Sequence, residues 1–227
     1  MEEKRSYLYN GTVFNRFPNS IAGENRAFRL GDGFFETIRV KDGAIPYWNA
    51  HYARIQSACK ALNLEIPQAC SIELFKKTLH DFIYQARIQK GGVLRISFFR
   101  DGGGTYKPET NKMAYVAELK DTANNNFILN DTGLKIGIYT DLRKHLGRFA
   151  PFKMMGMQVY IQAAIWAKKN DFQDALILNE QNQIIEGTSS NLFVVIDGII
   201  HTPPLSQGCV AGVMRMVVIN SALKLGI

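Results

Sequence analysis

Residues 174–216 read DALILNEQNQIIEGTSSNLFVVIDGIIHTPPLSQGCVAGVMRM, and this stretch organises the interpretation of the whole chain. An apolar strand ends in a single acid, Glu186, and a loop of small polar residues follows it. A second apolar strand then leads to GCVAGVMR (208–215), which opens an apolar helix. Free amides at a helix start bind anions, and small residues let a phosphate approach the backbone. The stretch therefore predicts an acid followed by an anion-binding turn.

One lysine just upstream completes this set. Lys153 is the only cation in FAPFKMMGMQVY (149–160), and its apolar neighbours would desolvate it in part, as a lysine that forms a Schiff base requires. Lys144 and Lys168 are weaker candidates because each lies among other charges. A carboxylate held against a pyridine nitrogen keeps that nitrogen protonated. Together these groups predict a site for pyridoxal 5'-phosphate, although a surface lysine and a turn glutamate are the ordinary explanations of Lys153 and Glu186.

Composition excludes several other classes of function. The chain has 227 residues, of which 46% are hydrophobic, so it can bury a full core. The net charge of +7 is spread over single and paired cations, which argues against a nucleic-acid partner. The three cysteines lack metal-site or redox spacing, so we expect no metal site and a reducing, cytoplasmic setting. No apolar run is long enough to span a membrane, and the N-terminus does not resemble a signal peptide.

Strands and helices occur in mixed order along the chain, which predicts an α+β fold with two lobes. We expect an N-terminal lobe over residues 1–120, a linker at DTANNN (121–126) where the composition changes sharply, and a cofactor-binding lobe over residues 127–227. The N-terminal lobe should begin with a hairpin around Asn10-Gly11 and continue with the strand GDGFFETIRV (31–40). AIPYW (44–48) is expected to be the return strand. A helix should follow from about Asn49, and a second helix should be capped by Ser71.

Five segments, in this order, resemble the class IV aminotransferase family, the fold type IV pyridoxal-phosphate enzymes. They are GDGFFETIRV, HYARI, LRISFFRDGGGTY, EGTSSNLFVV and TPPLSQGCVAGVMR, with Lys153 between the third and the fourth. The resemblance covers nearly the whole chain and implies a small N-terminal α/β lobe and a larger C-terminal lobe, with the cofactor in the cleft. It also implies a homodimer in which residues of the partner complete the site. Family chains continue with a closing strand that this sequence lacks, so we expect the C-terminal lobe to be incomplete.

The resemblance also implies roles for individual residues. It makes Lys153 the Schiff-base lysine and proton shuttle, and it places Glu186 at the pyridine nitrogen. The remaining cofactor-binding residues that it implies are Arg54, Ser189, Ser190, Asn191, Val213 and Met214. The substrate side, which would take a small amino-acid-like molecule, is implied to be lined by Phe35, Thr37, Arg100 and Tyr106.

Two branches of the family compete for this sequence. GCVAGVMR and the segment from Arg100 to Tyr106 resemble the aminodeoxychorismate lyases of folate biosynthesis, whereas branched-chain and D-amino-acid aminotransferases often carry a tyrosine five residues after the lysine. That position is Gln158 here, and Tyr160 is not an obvious substitute. We therefore expect a lyase that forms 4-aminobenzoate and pyruvate, with an aminotransferase as the alternative. A non-catalytic dimeric binding protein is a more distant alternative.

Overall fold

The protein is described from a computed structural model that covers residues 5–18, 21, 23, 25–88, 91–122, 129 and 131–227. The chain divides into two compact units, Met1–Ile128 and Leu129–Ile227. Of the linker expected at 121–126, Asp121 and Thr122 end a strand, and residues 123–126 lie outside the described residues. In the described part of the chain, no helix is both long and apolar enough to cross a membrane.

The first unit is built on an antiparallel sheet. Its five strands lie in the order β2-β1-β5-β4-β3. The elements are β1 (Arg5–Tyr9), β2 (Thr12–Phe14), α1 (Arg26–Leu30), β3 (Gly33–Lys41), α2 (Trp48–Leu62), α3 (Ile72–Gln85), β4 (Gly91–Arg100) and β5 (Met113–Thr122). The turn at Asn10-Gly11 is confirmed: both residues have positive φ, the conformation that a two-residue hairpin needs.

Alternation along β3 decides which side chains enter the core of this unit. Phe34, Glu36, Ile38 and Val40 are buried, while Thr37 and Lys41 are exposed. Aromatic rings fill the space between the sheet and the helices, and Phe34 stacks on Phe98 with ring centroids 4.9 Å apart. The strand period therefore places the carboxylate of Glu36 on the same buried face of β3 as Phe34 and Ile38.

One local prediction for this unit is wrong, and a second holds only in part. AIPYW is not a strand, because only Ala44 pairs with Lys41 before the chain turns at Tyr47, which has a φ of 56°, and enters α2. Pro46 has no backbone N–H to donate to a neighbouring strand. Ser71 does occupy the position before α3, but its side chain makes no capping hydrogen bond; its carbonyl accepts the amide of Phe75 instead.

The second unit is built on a short mixed sheet. Its elements are β6 (Ile136–Ile138), α4 (Gln158–Lys169), β7 (Asp174–Leu178), β8 (Ile184–Gly187), β9 (Val194–Ile196), β10 (Ile199–His201) and α5 (Val213–Lys224). β6 pairs with β7 in parallel, β7 pairs with β8 antiparallel, and β9 and β10 form a separate hairpin. The core between α4 and this sheet consists of Tyr139, Val159, Ala163, Ala167, Ala175, Ile177, Ile185 and Cys209.

Candidate active site

Glu186 is the centre of the candidate site in the second unit. It lies on β8 opposite Ile177, and only 3% of its surface is exposed. Gly187 follows it, and a Cβ at Gly187 would come within 2.8 Å of the carboxylate of Asp174. A side chain at that position would force the strand away from Asp174, so the glycine lets β8 end closely packed beside β7.

Three donors approach the carboxylate of Glu186. Oε1 accepts hydrogen bonds from Lys144 Nζ at 2.8 Å and from the Tyr160 hydroxyl at 2.7 Å, and Oε2 accepts the backbone N–H of Val210 at 2.9 Å. A carboxylate has about four acceptor positions, so these contacts leave one for a ligand. Glu186 can therefore accept a hydrogen bond from a protonated ring nitrogen, as pyridoxal phosphate requires.

Lys144 is the residue that sequence reasoning set aside. Its side chain is fully buried, and Nζ also donates to the carbonyl of Ala150 at 3.0 Å. Burial lowers the pKa of Lys144 below its ordinary value, while the charge and hydrogen bond of Glu186 raise it.

The alternation of side chains along an extended segment could have identified Lys144 as a buried lysine from the sequence. Its backbone pairs with Asn179, just beyond β7, and so extends the sheet. The two neighbouring charged side chains have other partners. Arg143 donates to the side-chain oxygen of Asn182, and His145 contacts the carboxylate of Glu180. In extended backbone, adjacent side chains point to opposite faces, so the middle cation of Arg-Lys-His points inward.

The contacts of Tyr160 were also not predicted from the sequence. Tyr160 lies in the first turn of α4, where its hydroxyl reaches Glu186. Burial, followed by the charge of Glu186, raises the pKa of Tyr160. Tyr160 therefore acts as a neutral hydrogen-bond donor.

Lys153 lies in the loop before α4 and is half-buried. Its apolar neighbours Phe152, Met154 and Met155 are also only half-buried, so the desolvation expected for Lys153 is weaker than that of Lys144. The backbone before it is held at two carbonyls: Ala150 accepts from Lys144, and Pro151 accepts the amide of Ala211 at 2.9 Å. These contacts link the loop of Lys153 to both Glu186 and the turn that precedes α5.

The anion-binding turn also has a defined geometry. Asn191 donates its side-chain amide to the carbonyl of Val210 at 2.8 Å, and a Cβ at Gly212 would lie 1.9 Å from Asn191 Oδ1. Gly212 caps α5 without a side-chain hydrogen bond, and Val213 and Met214 are the first helical residues. Their amides are therefore placed where an anion can be bound. In the loop before this turn, Ser189 and Ser190 are exposed.

In the first unit, Arg54 is buried beside Glu36. Its Nε and Nη2 donate to the two carboxylate oxygens at 2.7 and 2.6 Å, and His51 Nδ1 lies 2.9 Å from Oε2. Burial raises the pKa of Glu36, but the hydrogen bonds from His51 and Arg54 outweigh it and hold the pKa below its ordinary value. The guanidinium proposed from sequence as a phosphate ligand is thus fixed in orientation by an acid on β3.

The four substrate-side candidates have different surroundings within the first unit. Phe35 and Thr37 share one face of β3, and the guanidinium of Arg95 stacks on the ring of Phe35 at 3.7 Å. Tyr106 is 93% exposed. Arg100 is buried and donates to Asp32, Asn111, Asn63 and Leu62. A substrate carboxylate would have to compete with these four partners for Arg100.

Arg26 was not expected from sequence to have a role. It holds the glycine-rich loop (101–110), because its Nη1 donates to the carbonyls of Gly103, Gly104 and Thr105. Its Nε donates to Asp32 at 2.8 Å. The loop that carries Tyr106 is therefore attached to a buried cation.

Comparison with known proteins identifies the family of this chain. The family model "Amino-transferase class IV" matches residues 33–227. The aminodeoxychorismate lyase of Vibrio harveyi is 28% identical over 199 residues, which cover 86% of this chain and 71% of the relative. A putative branched-chain-amino-acid aminotransferase of Methanocaldococcus jannaschii is 26% identical over 228 residues, which cover 96% of this chain and 75% of the relative.

A solved structure confirms the fold. The aminotransferase of Brucella abortus bound to the cofactor PLP superposes with a TM-score of 0.82 at 20% identity, covering 98% of this chain and 79% of that one. The predicted α+β, fold type IV architecture is therefore confirmed. The match to the family model begins at β3 and includes every candidate residue named above from Phe35 to Met214. The chain belongs to the class IV aminotransferase family of pyridoxal-phosphate-dependent enzymes.

Proposed function

We propose that this chain is a 4-amino-4-deoxychorismate lyase, which releases pyruvate and leaves 4-aminobenzoate, a folate precursor. The reaction needs no oxidant, since the atoms of the two products add up to the substrate. Two features support the proposal: the similarity to the Vibrio harveyi lyase, and GCVAGVMR, whose Val210 contacts Glu186. We further propose a homodimer in the cytoplasm, which gel filtration coupled to light scattering and cell fractionation would test.

The residues present can be assigned to the cofactor from their own chemistry. When bound, pyridoxal phosphate supplies a ring that stabilises negative charge developing beside its imine carbon. Glu186 would keep the ring nitrogen protonated through its remaining acceptor position. The amides of Val213 and Met214 would bind the phosphate at the start of α5, with Arg54 as a second phosphate ligand oriented by Glu36. Lys153 would attach the cofactor and carry protons.

The hydroxyl of Tyr160 is the observation that carries the choice of a lyase. The aminotransferases often carry a tyrosine five residues after the lysine, and here that residue is Gln158, which is exposed at the start of α4. The lyases often carry an asparagine three residues after the lysine, and here that residue is Gly156. The hydroxyl of Tyr160 donates to Glu186 at 2.7 Å and is thus engaged at the acid. In this conformation the segment after Lys153 does not provide the aminotransferase hydroxyl, which favours the lyase.

The test compares two activities of one preparation. Purified protein incubated with pyridoxal phosphate should release 4-aminobenzoate from aminodeoxychorismate and should not transfer the amino group of Leu, Glu or D-Ala to a 2-oxo acid. Borohydride reduction followed by peptide mapping should place the cofactor on Lys153, and Lys153→Ala should abolish both activity and labelling. Lys168→Ala, at an exposed lysine of α4, is the matched control. Labelling of Lys144 instead would refute the assignment of Lys153.

An aminotransferase is the second candidate. It is supported by the Methanocaldococcus jannaschii relative, which matches 96% of this chain. Amino transfer that depends on a 2-oxo acid, without release of 4-aminobenzoate, would favour it. Phe35, Thr37 and Tyr106 are the proposed substrate-side residues in either case, and substitution at these positions should change the substrate preference more than the retention of cofactor.

A further inference from the structure

We propose that Asp174 is a positioning residue for the anion-binding turn, and that it acts through the loop 188–191. The inference rests on the proposed binding of the cofactor phosphate by the amides of Val213 and Met214. It adds a residue to which neither the sequence nor the family resemblance gave a role.

Asp174 holds this loop at the point where the strand pairing stops. The ladder between β7 and β8 ends with Leu176 opposite Gly187. Thr188 is the next residue, and its backbone N–H donates to Asp174 Oδ1 at 3.2 Å while its hydroxyl donates to the same oxygen. The side chain of Asp174, at the first position of β7, therefore takes the place of a strand neighbour for Thr188.

Gly187 shows how closely this contact is packed. A Cβ at Gly187 would lie 2.8 Å from Asp174 Oδ2 and 2.7 Å from Ser190 Oγ, which is too close for atoms that are not bonded. The amide of Gly187 also donates to the carbonyl of Ser190 at 2.8 Å, which closes the loop into a tight turn. Because Asp174 holds Thr188 and Gly187 holds Ser190, the position of the loop is fixed at two residues.

Asn191, the last residue of the loop, connects it to the anion-binding turn. Its backbone forms a bridge with Glu186, and its side-chain amide donates to the carbonyl of Val210 at 2.8 Å. Its Oδ1 faces Gly212, where a Cβ would lie 1.9 Å away. Gly212 is the residue before α5, so a displacement of Asn191 would also displace the first amides of α5. Contacts within the second unit therefore connect Asp174 to the amides proposed to bind the phosphate.

The experiment compares two probes that differ only in the phosphate. Fluorescence titration of the full chain, freed of bound cofactor, measures the dissociation constants of pyridoxal phosphate and of pyridoxal. Asp174→Ala removes the acceptor, so pyridoxal phosphate should bind about three- to tenfold more weakly, the range that one hydrogen bond spans. The affinity for pyridoxal, which lacks the phosphate, should stay close to that of wild type.

Three further variants control this comparison. Asp174→Asn keeps an acceptor oxygen and should restore most of the wild-type affinity for pyridoxal phosphate. Thr188→Val removes the hydroxyl but keeps the amide, so it should show a smaller loss of the same kind. Added to Asp174→Ala, it should change the affinity little, because both substitutions remove the same contact. Asp141→Ala, at an exposed aspartate of the second unit, is the matched control and should leave both affinities unchanged.

Two results for Asp174→Ala would overturn the inference. An equal loss of affinity for both probes would mean a general structural role, and an unchanged affinity for pyridoxal phosphate would mean that Asp174 does not position the turn. Thermal melting of the same samples shows whether the variant folds. If Asp174→Ala does not fold, Thr188→Val decides by the same comparison.

A failure of the proposed function would look different. In that case the wild type would bind pyridoxal phosphate without releasing 4-aminobenzoate from aminodeoxychorismate. The comparison of the two probes does not depend on which reaction follows, so it would still decide whether Asp174 positions the turn.

Discussion

Replacing Glu36 by glutamine should destabilise the first unit by about 3 kcal/mol. Glu36 is 1% exposed, and it accepts two hydrogen bonds from the buried guanidinium of Arg54. Removing one partner of a buried ion pair costs about 3–5 kcal/mol, because the other charge is left uncompensated. Glutamine keeps one acceptor oxygen, which places the expected loss at the lower end of this range.

The variant should be measured with a probe local to the first unit. The chain has two tryptophans, and of these Trp48 lies in the first unit while Trp166 lies in the second. In a Trp166→Phe background, the fluorescence of buried Trp48 therefore reports urea unfolding of the first unit. Glu65→Gln, at an exposed side chain, is the matched control and should change the free energy of unfolding by less than about 0.5 kcal/mol.

The pH dependence of this difference tests its electrostatic origin. The pKa of Glu36 is lowered on folding, so its contribution to stability is present above the ordinary value of 4.5 and is lost as the pH falls through the folded pKa. The gap between wild type and Glu36→Gln should therefore shrink in acid. A loss below about 1 kcal/mol at pH 7, or a gap that does not depend on pH, would refute the assignment of a buried ion pair.

Three further predictions concern other parts of the chain. Burial raises the pKa of the Cys59 thiol from 9.0 to about 12, so the thiol ionises at lower pH in the unfolded state and the free energy of unfolding falls above pH 9. At pH 10.5, urea titration should show that Cys59→Ala loses about 2 kcal/mol less of this free energy than wild type does. Gly212→Ala would place a Cβ 1.9 Å from Asn191 Oδ1, so the turn before α5 must shift. Equilibrium dialysis should therefore show weaker binding of pyridoxal phosphate, while the melting of the first unit should change little. Arg26→Met removes the anchor of the glycine-rich loop, so limited chymotrypsin digestion should cut faster after Tyr106 than in wild type.

Most of the fold could be predicted from local patterns. The helix period places His51, Arg54 and Ile55 on one face of α2, and all three are buried. The alternation of FFETIRV likewise placed β3 correctly. Patterns of this kind carry information over a few residues, which is enough to define an element and its buried face.

The contacts of the candidate site depend on long-range packing and were harder to predict. Lys144 and Glu186 are 42 positions apart, and only the pairing of residue 144 with the end of β7 brings them together. Glu36 was read as part of a strand, because nothing local reveals that Arg54 of α2 packs above it. Arg100 was assigned to the substrate side from its place at a strand end, whereas its guanidinium donates to Asp32 and to loop acceptors within the unit.

The strand order of the first unit has a consequence for its synthesis on the ribosome. β1 pairs on one side with β2, which follows it almost at once, and on the other side with β5, so that Tyr9 meets Val116. At a translation rate of roughly 5–20 residues per second, β5 emerges on the order of ten seconds after β1. During this interval the nascent hairpin exposes an unpaired strand edge, which is a template for pairing with other chains. Slowed translation between β1 and β5 should therefore lower the yield of folded protein.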